Sequence, residues 1–190
     1  MRRGYRPQMT VQTDTRAPSA RGREAARHLQ RYLSDHDAAA AGGNELVQRC
    51  RRANEHTVFA HALTDLERAI VRERVIVRDL LLQAGGRPSR VKRAAAWFGA
   101  SLGRLPLNGH LLTYSPMSRV LELEALSAAV TAKLRLWQTL ADLGTHDRRF
   151  DEARFRELAQ QARAQLVALE GLHRIATELA FAAATPAYGA

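Results

Sequence analysis

Cysteine, lysine and long apolar runs are the scarcest features of this sequence, and their scarcity excludes several classes of protein. The single cysteine, Cys50, cannot form an internal disulfide, which excludes a secreted scaffold held together by disulfides. No apolar run approaches the roughly 20 residues that a transmembrane helix needs. The basic N-terminus lacks the apolar stretch of a signal peptide, so we expect a protein of the cytoplasm.

Common catalytic motifs are also missing. The sequence has no Gly-x-Gly-x-x-Gly, no phosphate-binding loop, no His-Glu-x-x-His and no Gly-x-Ser-x-Gly. Cys50 has no paired base, so we interpret it as a structural residue. These absences favour a protein that is not an enzyme.

Arginine supplies almost all of the positive charge. The formal net charge is +10, and Lys92 and Lys133 are the only lysines. Abundant arginine beside abundant alanine is typical of a GC-rich, bacterial-like genome, so the charge is weaker evidence for nucleic-acid binding than usual. A merely soluble basic tail and a tail that binds nucleic acid or an acidic membrane both stay open as interpretations.

The composition divides the chain into a tail and one domain. Residues 1–19 hold two prolines and few large apolar residues, so we predict a disordered basic tail there. Residues 20–190 are predicted to form a single helical-bundle domain. A short helix over 20–33 is followed by Gly42-Gly43, which we expect to interrupt the helix, and by Asn44, which is suited to cap the next one.

Four segments show the period of an amphipathic helix. Residues 45–84 lack proline and glycine, which predicts one long helix or two joined near 54–57. A shorter amphipathic segment covers 89–102. Ser115-Pro116 is a helix start signal, and that helix is predicted to stop at Gly144. The last helix is predicted to begin at Asp151, with Phe150 and Phe155 packed across its cap.

These helices each have one apolar face, which must be buried against the others. The sequence therefore predicts an all-α protein, most simply a four-helix bundle. The stretch from 85 to 115 is long enough to travel the length of a bundle. A long crossover between the second and third helices is the arrangement of ferritin-like bundles.

Charged residues that interrupt the apolar faces are the candidates for function. Glu73 lies three residues after Ile70 and four before Val77, close to the centre of its apolar face. Glu122 lies at the margin of the third helix's apolar face, with Glu124 further toward solvent. Because an unpaired buried charge is costly, we expect Glu73 to have a basic partner, an arginine, on another helix.

The last helix contains Glu170-Gly171-Leu172-His173, a Glu-x-x-His on one helix face with His173 on the core side. In this motif the chain resembles the ferritin-like di-metal proteins. The resemblance implies that Glu170 and His173 bind iron or manganese, with Glu73 and Glu122 as additional carboxylate ligands. The chain has no second Glu-x-x-His, so the resemblance implies a degenerate site. The alternative is that His173 is a hydrogen-bonded core residue and binds no metal.

Basic and aromatic residues are interleaved after the second helix. Arg87, Arg90, Lys92, Arg93 and Trp97 form a candidate contact surface for nucleic acid or an anionic membrane. The alternative is that the aromatic residues cover the bundle while the bases stay solvated.

Three functions remain compatible with these patterns. We favour a non-catalytic bundle that acts through protein contacts or self-association, with exposed apolar residues such as Val71 and Val75 at the interface. The first alternative is a ferritin-like metal-binding protein. The second is a nucleic-acid accessory protein that uses the basic tail.

Overall fold

The computed structural model describes residues 19–87 and 114–182 and has four helices and no strand within those ranges. They are α1 (Ala20–Ala53), α2 (Ala60–Gln83), α3 (Pro116–Gly144) and α4 (Glu152–Phe181). The predicted all-α, four-helix arrangement is confirmed. The predicted tail, except for Ser19, and the predicted segment over 89–102 lie outside the described residues.

Side-chain caps define three of the four helix starts. The Ser19, Ser115 and Asp151 side chains each accept a hydrogen bond from a backbone N–H three residues later, at 3.1 Å. Such caps satisfy N–H groups that have no partner inside the helix. The predicted start signals of the third and fourth helices are therefore confirmed. Phe150 and Phe155 also contact each other across the cap of α4, with ring centroids 6.4 Å apart.

The expected interruption at Gly42-Gly43 is wrong. α1 runs without a break through both glycines, which are buried, and Asn44 lies inside the helix instead of capping one. A Cβ on Gly43 would lie 4.0 Å from the Cβ of Ala129, so this part of α1 packs directly against α3. Burial of Leu46 and Val47 in the next turn offsets the roughly 1 kcal/mol that each glycine costs a helix.

Of the two predictions for residues 45–84, the pair of helices is confirmed. α1 ends at Ala53, and α2 starts at Ala60 after a short turn. The turn is held by Thr57, whose hydroxyl donates to the Asn54 carbonyl at 2.8 Å. At its other end α2 stops before Gly85, whose φ of 77° is the left-handed conformation that favours glycine.

Contacts between helices give the chain directions. Arg51 near the end of α1 is 2.7 Å from Glu67 near the start of α2, so these helices are antiparallel. Arg49 near the end of α1 is 2.8 Å from Glu122 near the start of α3, while Tyr32 bonds Thr139 near the end of α3. α1 is therefore antiparallel to both α2 and α3.

It follows that α2 and α3 run in the same direction. The end of α2 lies beside the first half of α1, where the Gln30 side chain donates to the Ala84 carbonyl. The start of α3 lies at the opposite end, where Tyr114 bonds Asn54. The connection between α2 and α3 therefore links opposite ends of the bundle, separated by roughly 30 Å at 1.5 Å per helical residue. This is the long crossover that the sequence predicts.

The core lies between the four helices and is almost wholly apolar. Trp137 is fully buried and stacks on Phe155, with ring centroids 6.1 Å apart. The most extensive helix contact is between α3 and α4, and α2 packs mainly on α1. Among the described residues, four buried polar ones are the exceptions to the apolar core: Asp37, Asn54, Glu73 and Glu122.

Candidate functional site

Glu73 is buried in the centre of the bundle, as its position on the apolar face of α2 predicts. Its residue is 4% exposed, and Lys133 of α3 places Nζ 2.8 Å from Oε2. Gln165 of α4 donates through Nε2 to the other carboxylate oxygen at 3.3 Å, and its own carbonyl oxygen accepts from Lys133. The basic partner is therefore a lysine and not the expected arginine. The charge of Glu73 is compensated by a triad that joins three helices.

The loss of solvation in this arrangement disfavours the charged form of Lys133. Burial lowers the pKa of its ammonium group, and the neighbouring Glu73 carboxylate raises it in part. Oε2 of Glu73 has no hydrogen bond of good geometry within residues 19–87 and 114–182, so its contact with Lys133 is mainly an ion pair. A carboxylate held in this way is a poor metal ligand, because a cation would have to displace the lysine.

A small cavity adjoins this pair. Its volume is about 50 Å³, and its wall is mostly apolar, with small residues of α1 (Ala39, Ala40 and Gly43) on one side and Trp137 on the other. The indole Nε1 of Trp137 is buried and has no hydrogen-bond partner among the described residues. Since one water needs at least roughly 10 to 15 Å³ of such volume, the cavity has room for a few waters but not for an organic cofactor.

Glu122 lies in a second buried polar cluster, at the end of the bundle where α3 begins. Arg49 donates to Oε1 at 2.8 Å and the Tyr114 hydroxyl donates to Oε2 at 3.1 Å. Asn54 connects the cluster, because it donates to Tyr114 at 2.8 Å and accepts from Arg119 at 2.6 Å. These contacts fix the turn after α1 against the start of α3.

Cys50 belongs to the same cluster. Its thiol is fully buried and lies 3.9 Å from the Tyr114 hydroxyl. Burial, with the nearby Glu122 carboxylate, raises the pKa of the Cys50 thiol to about 12. A thiol that stays protonated at neutral pH is a poor nucleophile and a poor metal ligand, which supports the structural role assigned to it.

The structure does not bring the predicted metal ligands together. Glu170 is exposed and makes no ion pair within the described residues. His173 is partly exposed, and its Nε2 lies 3.2 Å from Glu124, the carboxylate expected to lie nearer to solvent than Glu122. Within residues 19–87 and 114–182 no group of three or more His, Cys, Asp or Glu side chains is arranged to hold a metal ion.

Of the predicted contact residues for nucleic acid or membrane, only Arg87 is described. It is exposed, just after the end of α2. Arg90, Lys92, Arg93 and Trp97 lie outside the described residues.

Sequence reasoning missed two of the buried ionic groups. Asp37 of α1 is fully buried, and its Oδ1 accepts from Arg74 and Arg78 of α2 at 2.8 and 2.9 Å. A signal was present, because Asp37 lies four residues after Leu33 and four before Ala41, both of which are buried. Lys133 lies near the apolar face of α3 in the same way, three residues after Val130.

The outer face of α2 carries exposed apolar side chains. Val71, Val75 and Leu82 are 49%, 56% and 56% exposed. Steps of four and seven residues place them in one row, within about 40° of each other at 100° per residue. The row lies opposite the buried face of α2, so no helix in the described part of the chain covers it.

Comparison with protein-family models, curated proteins and solved structures finds no match. None of the helices that the structure describes is both long and apolar enough to cross a membrane.

Proposed function

We propose that the protein is a non-catalytic helical bundle that acts through protein contacts, and that it self-associates through the outer face of α2. The observation that carries this proposal is the exposed row of Val71, Val75 and Leu82 on the outer side of α2. A cytoplasmic location is part of the proposal, since the only cysteine is buried and unpaired.

The charges beside this row favour a second copy of the chain as the partner. Arg68 precedes Val71 by three residues, and Asp79 follows Val75 by four, on the same side of α2. We call Arg68, Val71, Val75, Asp79 and Leu82 the α2 face. Arg68 is exposed and makes only a 3.5 Å contact with Asp65. Asp79 is exposed and has no ion pair within the described residues.

This pattern is self-complementary under a twofold axis. When two α2 helices pair antiparallel about the point midway between residues 73 and 74, Arg68 of one copy meets Asp79 of the other, and the reverse pair forms at the other end. Val71 and Val75 then lie between the two ion pairs. A closed dimer of this kind uses the same surface on both copies, which is the commonest symmetry of soluble oligomers.

The size of the α2 face indicates how stable the proposed dimer is expected to be. From Arg68 to Leu82 it is about 21 Å long at 1.5 Å per residue. Stable interfaces bury roughly 800 Å² on each partner, and one helix face of four turns offers less than that. We therefore expect a reversible dimer whose population rises with protein concentration.

The first experiment compares Val75→Asp with Val167→Asp by analytical ultracentrifugation over a range of concentrations. Val167 is 70% exposed on α4, outside the α2 face, so it is a matched control for adding a charge at an exposed valine. We expect Val75→Asp to weaken the dimer at least tenfold and Val167→Asp to leave it unchanged. A wild-type chain that stays monomeric at the highest concentration, or equal effects of both variants, would contradict the proposal.

A charge exchange tests the antiparallel geometry itself. Arg68→Asp alone and Asp79→Arg alone each place like charges opposite each other, so both are expected to weaken the dimer. The double variant restores opposite charges at both ends and is expected to dimerise like the wild type. Failure of the double variant to recover would reject this pairing even if the chain dimerises.

A further inference from the structure

A groove between α3 and α4 is lined by three arginines. Arg135 of α3 lies on one side, and Arg156 and Arg163 of α4 lie on the other, with a volume of about 520 Å³ between them. Arg156 and Arg163 are seven residues apart, which places them on one side of α4 about 10.5 Å apart. We call these three residues the arginine groove.

The arginines are only partly neutralised by their neighbours. Among the residues that the structure describes, Asp142 is the only acidic one that lines the groove. Arg156 pairs with Glu152 at 2.5 Å, one turn earlier on α4. Arg135 donates to Gln138 at 3.1 Å, and Arg163 has no ion pair within the described residues. The three guanidinium groups therefore leave a net positive groove with donors available for an anion.

We propose that the arginine groove binds the phosphate backbone of nucleic acid. Guanidinium groups match phosphate oxygens in a bidentate fork, which a lysine cannot do. Three such groups across a concave surface fit a chain of phosphates better than a single ion, because each strand carries a negative charge every 3.4 Å or so. The polar groups between them, Thr139 and Gln160 among others, are suited to bond phosphate or sugar.

The chain topology adds positive charge at the same end of the bundle. Thr139 of the groove accepts a hydrogen bond from Tyr32 in the first half of α1. That half of α1 also carries the exposed residues Arg27 and Arg31. Arg87 lies at this end as well, because the end of α2 packs beside Gln30. These charges would raise the local concentration of a polyanion before it reaches the groove.

An anionic membrane fits the groove less well than nucleic acid. Helices that bind at a membrane surface insert large apolar side chains beside their basic residues. The described residues provide none in the groove, since its apolar lining there consists of Ala141 and Ala159.

The test measures binding of a fluorescently labelled 20-nucleotide single strand and a 20-base-pair duplex by anisotropy, at several salt concentrations. The wild-type chain is compared with the triple variant Arg135→Gln, Arg156→Gln, Arg163→Gln. The control is Arg52→Gln, Arg72→Gln, Arg174→Gln, which removes the same charge from exposed arginines outside the groove. Circular dichroism checks that both variants keep their helix content.

We expect the groove variant to lose at least tenfold in affinity near 100 mM salt, and the control variant to lose much less. The slope of log affinity against log salt should fall by about 2 in the groove variant on single strands, since three phosphate contacts are removed. Equal losses in the two variants, or no binding by the wild type at 50 mM salt, would overturn the proposal. So would binding to phosphatidylserine vesicles with no binding to either oligonucleotide. The α2 face takes no part in this binding. The result can therefore be interpreted even if the chain proves to be monomeric.

Discussion

Lys133 shows at the scale of single residues how this bundle keeps charge in its core. Its ammonium group pairs with the buried Glu73 carboxylate on α2 and donates a hydrogen bond to the Gln165 side chain on α4, so it connects two helices. Asp37 likewise forms ion pairs with two arginines on α2, and Glu122 forms one with Arg49. Each of the three carboxylates that are buried in the described part of the chain thus has a basic partner, which a metal ion would have to displace.

The Glu73–Lys133 pair leads to a stability prediction. Lys133→Met removes one partner and leaves the other charge buried, so we expect it to lower the free energy of unfolding by about 3 to 5 kcal/mol. Adding Glu73→Gln removes that charge and keeps an amide for Gln165 to bond. The double variant should therefore recover most of the loss, as measured by urea denaturation near neutral pH. If the double variant is as unstable as Lys133→Met, the pair is not the cause.

At the scale of helices, glycine has two different roles in this chain. Gly43 and Gly171 lie inside helices, and a Cβ would meet only an ordinary contact at Gly43 and open space at Gly171. Gly85 has a φ of 77° after the end of α2, where a side chain is strained whatever the space. The same residue type is therefore a weakness in α1 and α4 and a requirement after α2.

Alanine substitutions distinguish these roles. Gly43→Ala and Gly171→Ala are each expected to raise the free energy of unfolding by about 0.5 to 1 kcal/mol, because alanine reduces the entropy of the unfolded helix segment. Gly85→Ala is expected to lower it by about 1 kcal/mol or more. Thermal and urea denaturation of the three single variants measure both signs. A destabilising Gly43→Ala would show that α1 must approach α3 more closely than the Cβ geometry indicates.

At the scale of the whole molecule, the four helices are not equally well held. α3 and α4 share the most extensive contact, whereas α2 packs mainly on α1 and reaches α3 and α4 chiefly through the Glu73 triad. Local stability follows such differences in packing. Within the described part of the chain, the helix that carries the proposed self-association face is therefore also the one with the least extensive helix packing.

Native-state hydrogen exchange tests this order. We expect backbone amides in the middle of α2 to exchange at least tenfold faster than those in the middle of α3 and α4, after correction for intrinsic rates. The measurement uses Val75→Asp at low concentration, so that self-association cannot protect α2. Equal protection in α2 and α3 would show that the bundle opens as one unit.

Much of this architecture follows from local sequence. The apolar period specifies four helices, because only a helix places such residues on one face. Ser115, Pro116 and Asp151 specify where two of them begin, because their side chains or rings suit a helix start. Glu73 is recognisable as buried from its neighbours Ile70 and Val77 alone. The long stretch before Ser115 indicates the crossover, since chain length limits which ends can be joined.

Tertiary structure decided what depends on partners distant in the sequence. α1 continues through Gly42-Gly43 because α3 packs against it, and no local signal near the glycines records that contact. Lys133 and not an arginine meets Glu73, because helix rotation and register place it there. The same rotation turns Glu170 to solvent and His173 toward Glu124. Periodicity indicates which residues of one helix are buried, but only the packing of several helices determines which side chains meet.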